Sequence, residues 1–414
     1  MNAFAFLVQN LRFLGFGLAC TLASNFGQTF FISLFGAYIR DDFGLSHGEF
    51  GSLYGGATFI SAGIILWAGR QIDRVDLRAF AAVVLVGLAL SCALMAVAYS
   101  PWIVAISFVG LRLFGQGLLR HTAVISMARY FDTARGRAMS VVGLGFPFAE
   151  ATFPWLLVLI LSPLTWREAW GGFALYIIAL HLPLALWLLK GHGVRHAKLE
   201  ERLKAEDQAD TSLSQRQLVG DWRFQMIVPA ALMGPFIMTG LFFHQVAIAT
   251  SKGWDLSLLA ASFPAFAGAS VLSSLLTGSL VDKHGPGQVL PLFVLPLTLS
   301  LLVVALLDQP WSAPLYLGLG GLTVGASSML ISAAWAETYG VRHLGAIRSL
   351  TSSLAVISTA LAPMLVGWLL DAGLQISSIA LGAACLTFTT GLLAMAPARA
   401  LREKKQNPAH KQNL

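Results

Sequence analysis

A polytopic membrane protein of twelve α-helices, in two related six-helix halves, is the fold this sequence predicts. Three observations carry it. The 414-residue chain is 56% hydrophobic and only 11% charged, with a mean hydropathy of +0.72, whereas roughly 25% of a soluble domain is charged. Its apolar runs are ~20 residues or longer, enough to cross the hydrocarbon as helix, and they lack the ~10-residue alternation of barrel strands. Uncommon residues also recur at one constant shift: Gly69 falls on Gly278, an offset of 209 positions that many other pairs share.

The twelve spans are drawn at 13–39, 47–68, 79–99, 102–130, 138–161, 169–190, 223–250, 256–277, 289–307, 311–338, 346–370 and 376–397. This gives an N-terminal bundle over 1–190, a polar linker over 191–222, a C-terminal bundle over 223–397 and a tail over 398–414. Within the linker, Lys198 to Asp207 reads as a short exposed helix, with Glu200 four residues before Lys204; a solvated linker and a docking helix both fit. Arg12 runs straight into span 1 with no small-residue cleavage site before it, so no cleavable signal is expected. Cys20, Cys92 and Cys385 all fall in apolar runs and read as small buried thiols. They have no metal-binding or disulfide spacing, and no cofactor is implied.

Orientation follows from the basic residues. Of 27 Lys and Arg, only Arg40, Arg167 and Lys252 sit in odd-numbered loops, and Arg112 and Arg120 lie within a span. The other 22 occupy even-numbered loops, the span ends bordering them, or the termini. The positive-inside rule then places both termini and the linker in the cytoplasm, and the protein in the cytoplasmic (inner) membrane. The net charge of +7 does not indicate nucleic acid, because no basic cluster is interleaved with stacking aromatics outside the spans. No nucleotide loop, metal-ligand cluster or Ser/His/Asp arrangement suggests an enzyme.

The repeat extends along the chain. Asp73 falls on Asp282, Arg74 on Lys283, Pro101-Trp102 on Pro310-Trp311, Tyr130 on Tyr339, Gly136 on Gly345, Ser140 on Ser349 and Pro154 on Pro363. Shared membrane composition alone would not align a Pro-Trp pair, an Asp-basic pair and a Tyr-Gly spacing at one shift. Two parallel six-helix halves are expected, with a substrate site near the midplane between them.

Gly69-Arg-Gln-Ile-Asp73-Arg74-Val-Asp-Leu-Arg78 resembles the loop signature between spans 2 and 3 of the major facilitator superfamily, and Gly278-Ser-Leu-Val-Asp282-Lys283-His-Gly285 resembles its second copy. The first copy departs from the pattern, with Asp76 in place of Gly and Leu77 in place of a base. The resemblance implies that Gly69, Asp73, Arg74, Gly278, Asp282 and Lys283 form a duplicated conformational gate. Within the superfamily, Ala128-Arg129-Tyr130-Phe131 with Arg135-Gly136-Arg137, and Glu337-Thr-Tyr339-Gly340 with Arg342 to Ser349, are similar to the monocarboxylate and oxalate/formate branch. Phe242-Phe243-His244-Gln245 is similar to it too. Arg137 and Arg348 join the gate on this resemblance. Members of the branch tend to place a cation in span 8 or mid-span 11, whereas here span 8 has no charge and Arg348 lies at the start of span 11.

The missing counter-charge is sought in span 4. Arg112, Gln116 and Arg120 are spaced i, i+4, i+8, on one side of a regular helix. Glu150, in span 5, is the one carboxylate far from a span end. At ~1.5 Å per residue, Arg120 and Glu150 lie about 15 and 18 Å from the cytoplasmic ends of their spans, level enough to pair. Such a pair could exchange protons with substrate, or simply make both charges tolerable in lipid. In span 1, Thr21, Asn25 and Gln28 form a polar stripe that either binds substrate or joins helices. His244 in span 7 and His181 in span 6 are open between packing and function. Trp335 and Glu337 read as a gate or an interfacial anchor. Pro147 and Pro154 in span 5, and Pro229, Gly234, Pro235 and Gly240 in span 7, are expected to loosen helices near a moving site.

The sequence therefore predicts a monomeric secondary transporter working by alternating access. Its cargo would be a small organic anion such as a monocarboxylate, moved by proton symport or exchange. Arg112 and Arg120 would supply the counter-charge, Gln116, Asn25, Gln28 and His244 the hydrogen bonds, and Glu150 the proton coupling. The alternative is a proton-driven efflux antiporter for a drug or amphipathic metabolite.

Overall fold

The structure, a computed structural model, describes residues 3–73, 75–131, 134–193, 215–340 and 344–406. Every regular element among them is helical. Among the described residues, eleven helices are long and apolar enough to cross a membrane, from Phe6–Gly27 to Ile376–Leu401. Span 9, the twelfth expected, is present as a shorter apolar helix. A four-residue helix at Pro286–Val289 is followed by turns, and the main helix runs only over Leu295–Leu306. Pro291 and Pro296 account for this, since each lacks the N–H that would carry the helix through.

The chain divides into two compact units, Met1–Leu45 with Ser52–Ala209, and Ser46–Gly51 with Asp210–Leu414. The expected helix over Lys198–Asp207, Arg74 and Arg342 lie outside the described residues.

Spans 1, 4 and 5 of the first unit are irregular, and span 6 carries a π-helical turn at Ile177–His181. Span 1 runs Ala3–Ser24, breaks into a 3₁₀ turn at Asn25–Gly27, and breaks again at Ser33–Phe35 before ending at Phe43. Span 4 is α-helical over Pro101–Gly110 and Arg120–Tyr130, with a π-helical stretch at Leu111–Leu119 between them. Span 5 is interrupted at Leu144, between Arg135–Gly143 and Gly145–Leu161. The carbonyl of Val142, just before that interruption, accepts the hydroxyl of Thr21 at 3.0 Å. In the second unit, span 7 breaks once, at His244, between Trp222–Phe243 and Gln245–Lys252. Spans 8, 10 and 11 are continuous at Leu256–His284, Ser312–Tyr339 and Leu344–Asp371. Its core packs Trp335 against Phe224, rings stacked at 5.3 Å, with Ile227, Leu330 and Val294 around them.

The repeat has structural echoes. Gly44 and Gly253 stand 209 positions apart, and both end a helix in the left-handed conformation (φ 61° and 66°) that a Cβ disfavours. The second break of span 1, at Ser33–Phe35, corresponds to the break at His244. Asp76 and Gly285 also correspond, by different means. Gly285 enters the next helix at φ 83°, whereas Asp76 takes an ordinary φ of −53° and caps its helix, accepting from the N–H of Arg78 and Ala79. The departure from the loop signature is thus one N-cap substituted for another.

Candidate functional site

Within the first unit, the site is built where the irregular stretches of spans 1 and 4 cross. A Cβ placed on Gly27 would lie 2.1 Å from the Leu111 carbonyl and 2.6 Å from the Gln116 nitrogen. Gly115 meets Gly27 in return, its own ideal Cβ 2.9 Å from the Gly27 Cα and N. Only paired glycines permit this approach of two backbones. The helix distortions accompany it, as π-stretches commonly do at functional sites.

The expected stripe meets different surroundings along its length, with Arg112 buried, Gln116 half-buried and Arg120 exposed. Arg112 is buried, 4% exposed. Its Nε donates to Thr58 Oγ1 at 3.1 Å, one terminal nitrogen to the Gly27 carbonyl at 3.4 Å, and its guanidinium lies 5.1 Å from the centre of the Tyr54 ring. Arg112 therefore braces spans 1, 2 and 4. Arg120 is exposed. Its guanidinium lies 5.1 Å from the centre of the Phe146 ring, and among the described residues it has no hydrogen bond or ion pair.

Glu150 sits one turn beyond Phe146 on span 5 and is half-buried. Arg120 and Glu150 act on each other electrostatically. They do not close into an ion pair within 4.0 Å, unlike the pairing that their depths suggested. Gln28 and Gln116, at the crossing, are half-buried and have no side-chain hydrogen bond among the described residues. Asn25 is 1% exposed; its amide donates to the Thr21 carbonyl at 2.7 Å while its own Oδ1 is buried without a partner. Among the described residues, this part of the first unit brings together an exposed cation, a carboxylate within its electrostatic reach and two open amides. Phe146, Tyr54 and Thr58 are members that sequence reasoning missed; Phe146 could have been found as the residue one turn before Glu150.

His244 lies in the second unit. It is 4% exposed and hydrogen-bonds the Pro363 carbonyl through Nε2 at 3.0 Å. That contact falls on the carbonyl of the internal proline of span 11. His181 similarly bridges the Ala19 carbonyl (3.1 Å) and Tyr176 (3.4 Å), at a π-helical turn of span 6. Trp335 is 1% exposed and belongs to the second core, so it anchors no interface.

The expected gate residues are placed as follows. Gly69 begins a 3₁₀ turn, Gly69–Asp73, and packs near His121. The Ile72 carbonyl in that turn accepts from Arg129 at 2.9 Å, tying the loop to the end of span 4. Arg137 lies over the Phe6 ring at 5.2 Å. In the second unit, Gly278, Asp282 and Lys283 occupy the last turns of span 8, with Asp282 and Lys283 exposed. Arg348 donates to Ser332 Oγ at 2.9 Å.

The Major Facilitator Superfamily profile matches residues 17–328, and the chain belongs to that superfamily. The chain is similar in fold to a bacterial homolog of the human lysosomal transporter Spinster. With the inward-facing, unoccupied form the TM-score is 0.64 at 16% identity, over 94% of this chain and 97% of that chain. With the inward-facing, occupied form it is 0.59 at 16% identity, over 94% and 96%. No curated protein matches the chain. It is a multi-pass membrane transporter of a small molecule.

Proposed function

We propose that this transporter moves a small organic anion, a monocarboxylate on the branch resemblance, by alternating access, with both termini in the cytoplasm. The observation that carries the reading is the state of Arg120. It is a fixed cation within a span, open rather than paired, over an aromatic ring and within electrostatic reach of Glu150. A charged side chain within a span is costly, ~2.5–3.5 kcal/mol on insertion scales, and is kept where it has work. A substrate carboxylate would take the two-pronged hydrogen bond that the guanidinium offers, with Gln28 and Gln116 reaching its other polar atoms.

Coupling follows from the same geometry. A bound carboxylate adds a second negative charge beside Glu150 and favours its taking up a proton. Anion and proton would then load together and cross as a neutral pair. Arg112, with its donors occupied, would hold the crossing in shape instead of touching cargo. Asn25, its Oδ1 open, would turn toward substrate when span 1 moves. His244 would brace span 7 against span 11.

The test is a thermal-shift screen of the purified protein and its Arg120→Ala variant against small carboxylates, sugars and amphipathic cations. A ligand of the folded state raises the melting temperature by mass action. Carboxylates should stabilise the wild type and leave Arg120→Ala unmoved. Stabilisation by amphipathic cations alone, retained in Arg120→Ala, would establish the efflux alternative.

A further inference from the structure

We propose that a cleft at one end of the first unit, between the start of span 1 and the end of span 6, binds the phosphodiester headgroup of an anionic phospholipid. The cleft has a volume of about 350 Å³ and is bordered by Val8, Asn10, Leu11, Arg12, Lys190 and His192. It forms because the chain turns sharply after span 6, with Gly191 at φ 85°. Both spans that flank it are membrane-crossing helices, Phe6–Gly27 and Trp166–Leu188, so the cleft lies where their ends meet water.

Its charge is positive. Arg12 is exposed, stacks over the Trp187 ring at 4.9 Å and donates one N–H to the Trp187 carbonyl. A guanidinium has five N–H donors in a rigid fork, so most remain for an anion. Lys190 is exposed beside it. Among the described residues, Asp76 stands beside the cleft, its Oδ2 3.0 Å from His192 Nε2 while Oδ1 caps the helix that begins span 3. Arg12 and Lys190 thus bring two cations to the cleft beside this one carboxylate, whose oxygens are turned to His192 and the helix N-terminus.

The rim is apolar. Val8, Leu11 and Trp187 are 58%, 67% and 57% exposed on the same edge. A free phosphate ion has no use for such a rim. A phospholipid does, because its acyl chains can lie along Val8, Leu11 and Trp187 while its phosphate meets Arg12 and Lys190. A basic pocket at the ends of membrane helices, flanked by tryptophan, is the arrangement that recognises anionic headgroups.

Native mass spectrometry of the full-length protein in detergent, titrated with phosphatidylglycerol or phosphatidylcholine, tests this. The wild type should retain phosphatidylglycerol with at least tenfold preference, and Lys190→Glu and Arg12→Ala/Lys190→Ala should lose that preference. Lys190 is exposed, so its charge reversal leaves folding intact and keeps the test decisive. Equal retention of the two lipids by the wild type would overturn the proposal. So would unchanged preference in Lys190→Glu, or displacement of phosphatidylglycerol by millimolar inorganic phosphate, which would make the site one for free phosphate.

Discussion

Replacing Gly27 by alanine tests the crossing on which the site is built. The new Cβ would start 2.1 Å from the Leu111 carbonyl oxygen, 2.6 Å from the Gln116 nitrogen and 3.0 Å from the Gly115 Cα. All three are backbone atoms, so no side chain can swing aside. Span 1 would have to withdraw by about 0.9 Å to bring even the first contact to 3.0 Å. Overpacking costs ~1–3 kcal/mol, and backbone obstruction argues for the upper end. Alanine regains ~0.5–1 kcal/mol over glycine through lower chain entropy, leaving a net loss of about 2 kcal/mol. For a unit of ~200 residues that corresponds to roughly 4–8 °C in Tm. Gly56→Ala is the control, since its Cβ would meet nothing within 4 Å; it should be neutral or stabilising. The assay is melting of both variants in detergent, followed by transport. A Gly27→Ala protein that melts with or above the wild type would refute the packed crossing.

Three further outcomes are expected. Glu150→Gln should abolish proton-driven uptake while sparing substrate exchange, measured in the same vesicles with and without a proton gradient; unchanged driven uptake would remove Glu150 from coupling. Arg112→Ala should cost ~2–4 kcal/mol, through lost charge-assisted hydrogen bonds and lost packing, read as a fall in Tm with transport lost in proportion to folded protein. Asp42 is held below its ordinary value by hydrogen bonds from Trp166 and then Arg167. A carboxyl depressed in the folded state adds stability above its unfolded value and loses it as the pH falls. Melting temperature should therefore drop as the pH goes below about 4, the ordinary value being 3.8, and Asp42→Asn should flatten that part of the profile.

Much of the fold was legible because lipid imposes it. Apolar length follows from a constraint that acts on local sequence, and the 209-residue shift reappears in the matching helix ends at Gly44 and Gly253. In span 9 the continuous helix is shorter than the apolar run, since hydropathy counts Pro291 and Pro296 as ordinary apolar positions while helix geometry does not. The site was only partly legible. Arg120, Glu150, Gln28 and Gln116 were identifiable as polar groups in apolar runs, but not the packing that buries Arg112 and leaves Arg120 exposed. The π-stretch at Leu111–Leu119 depends on how closely Gly27 lets another span approach, which is a tertiary fact. The glycines at 27, 115 and 117 were its only local sign. The same limit explains Trp335, whose place beside Phe224 no spacing within span 10 reveals.

The central claim is that Arg120 carries the substrate's negative charge. Uptake of a labelled small monocarboxylate into proteoliposomes under an inward proton gradient tests it most directly, with wild type and Arg120→Ala reconstituted to equal amounts of folded protein. The wild type should accumulate the anion and Arg120→Ala should not. Uptake by Arg120→Ala at the wild-type rate would contradict the account.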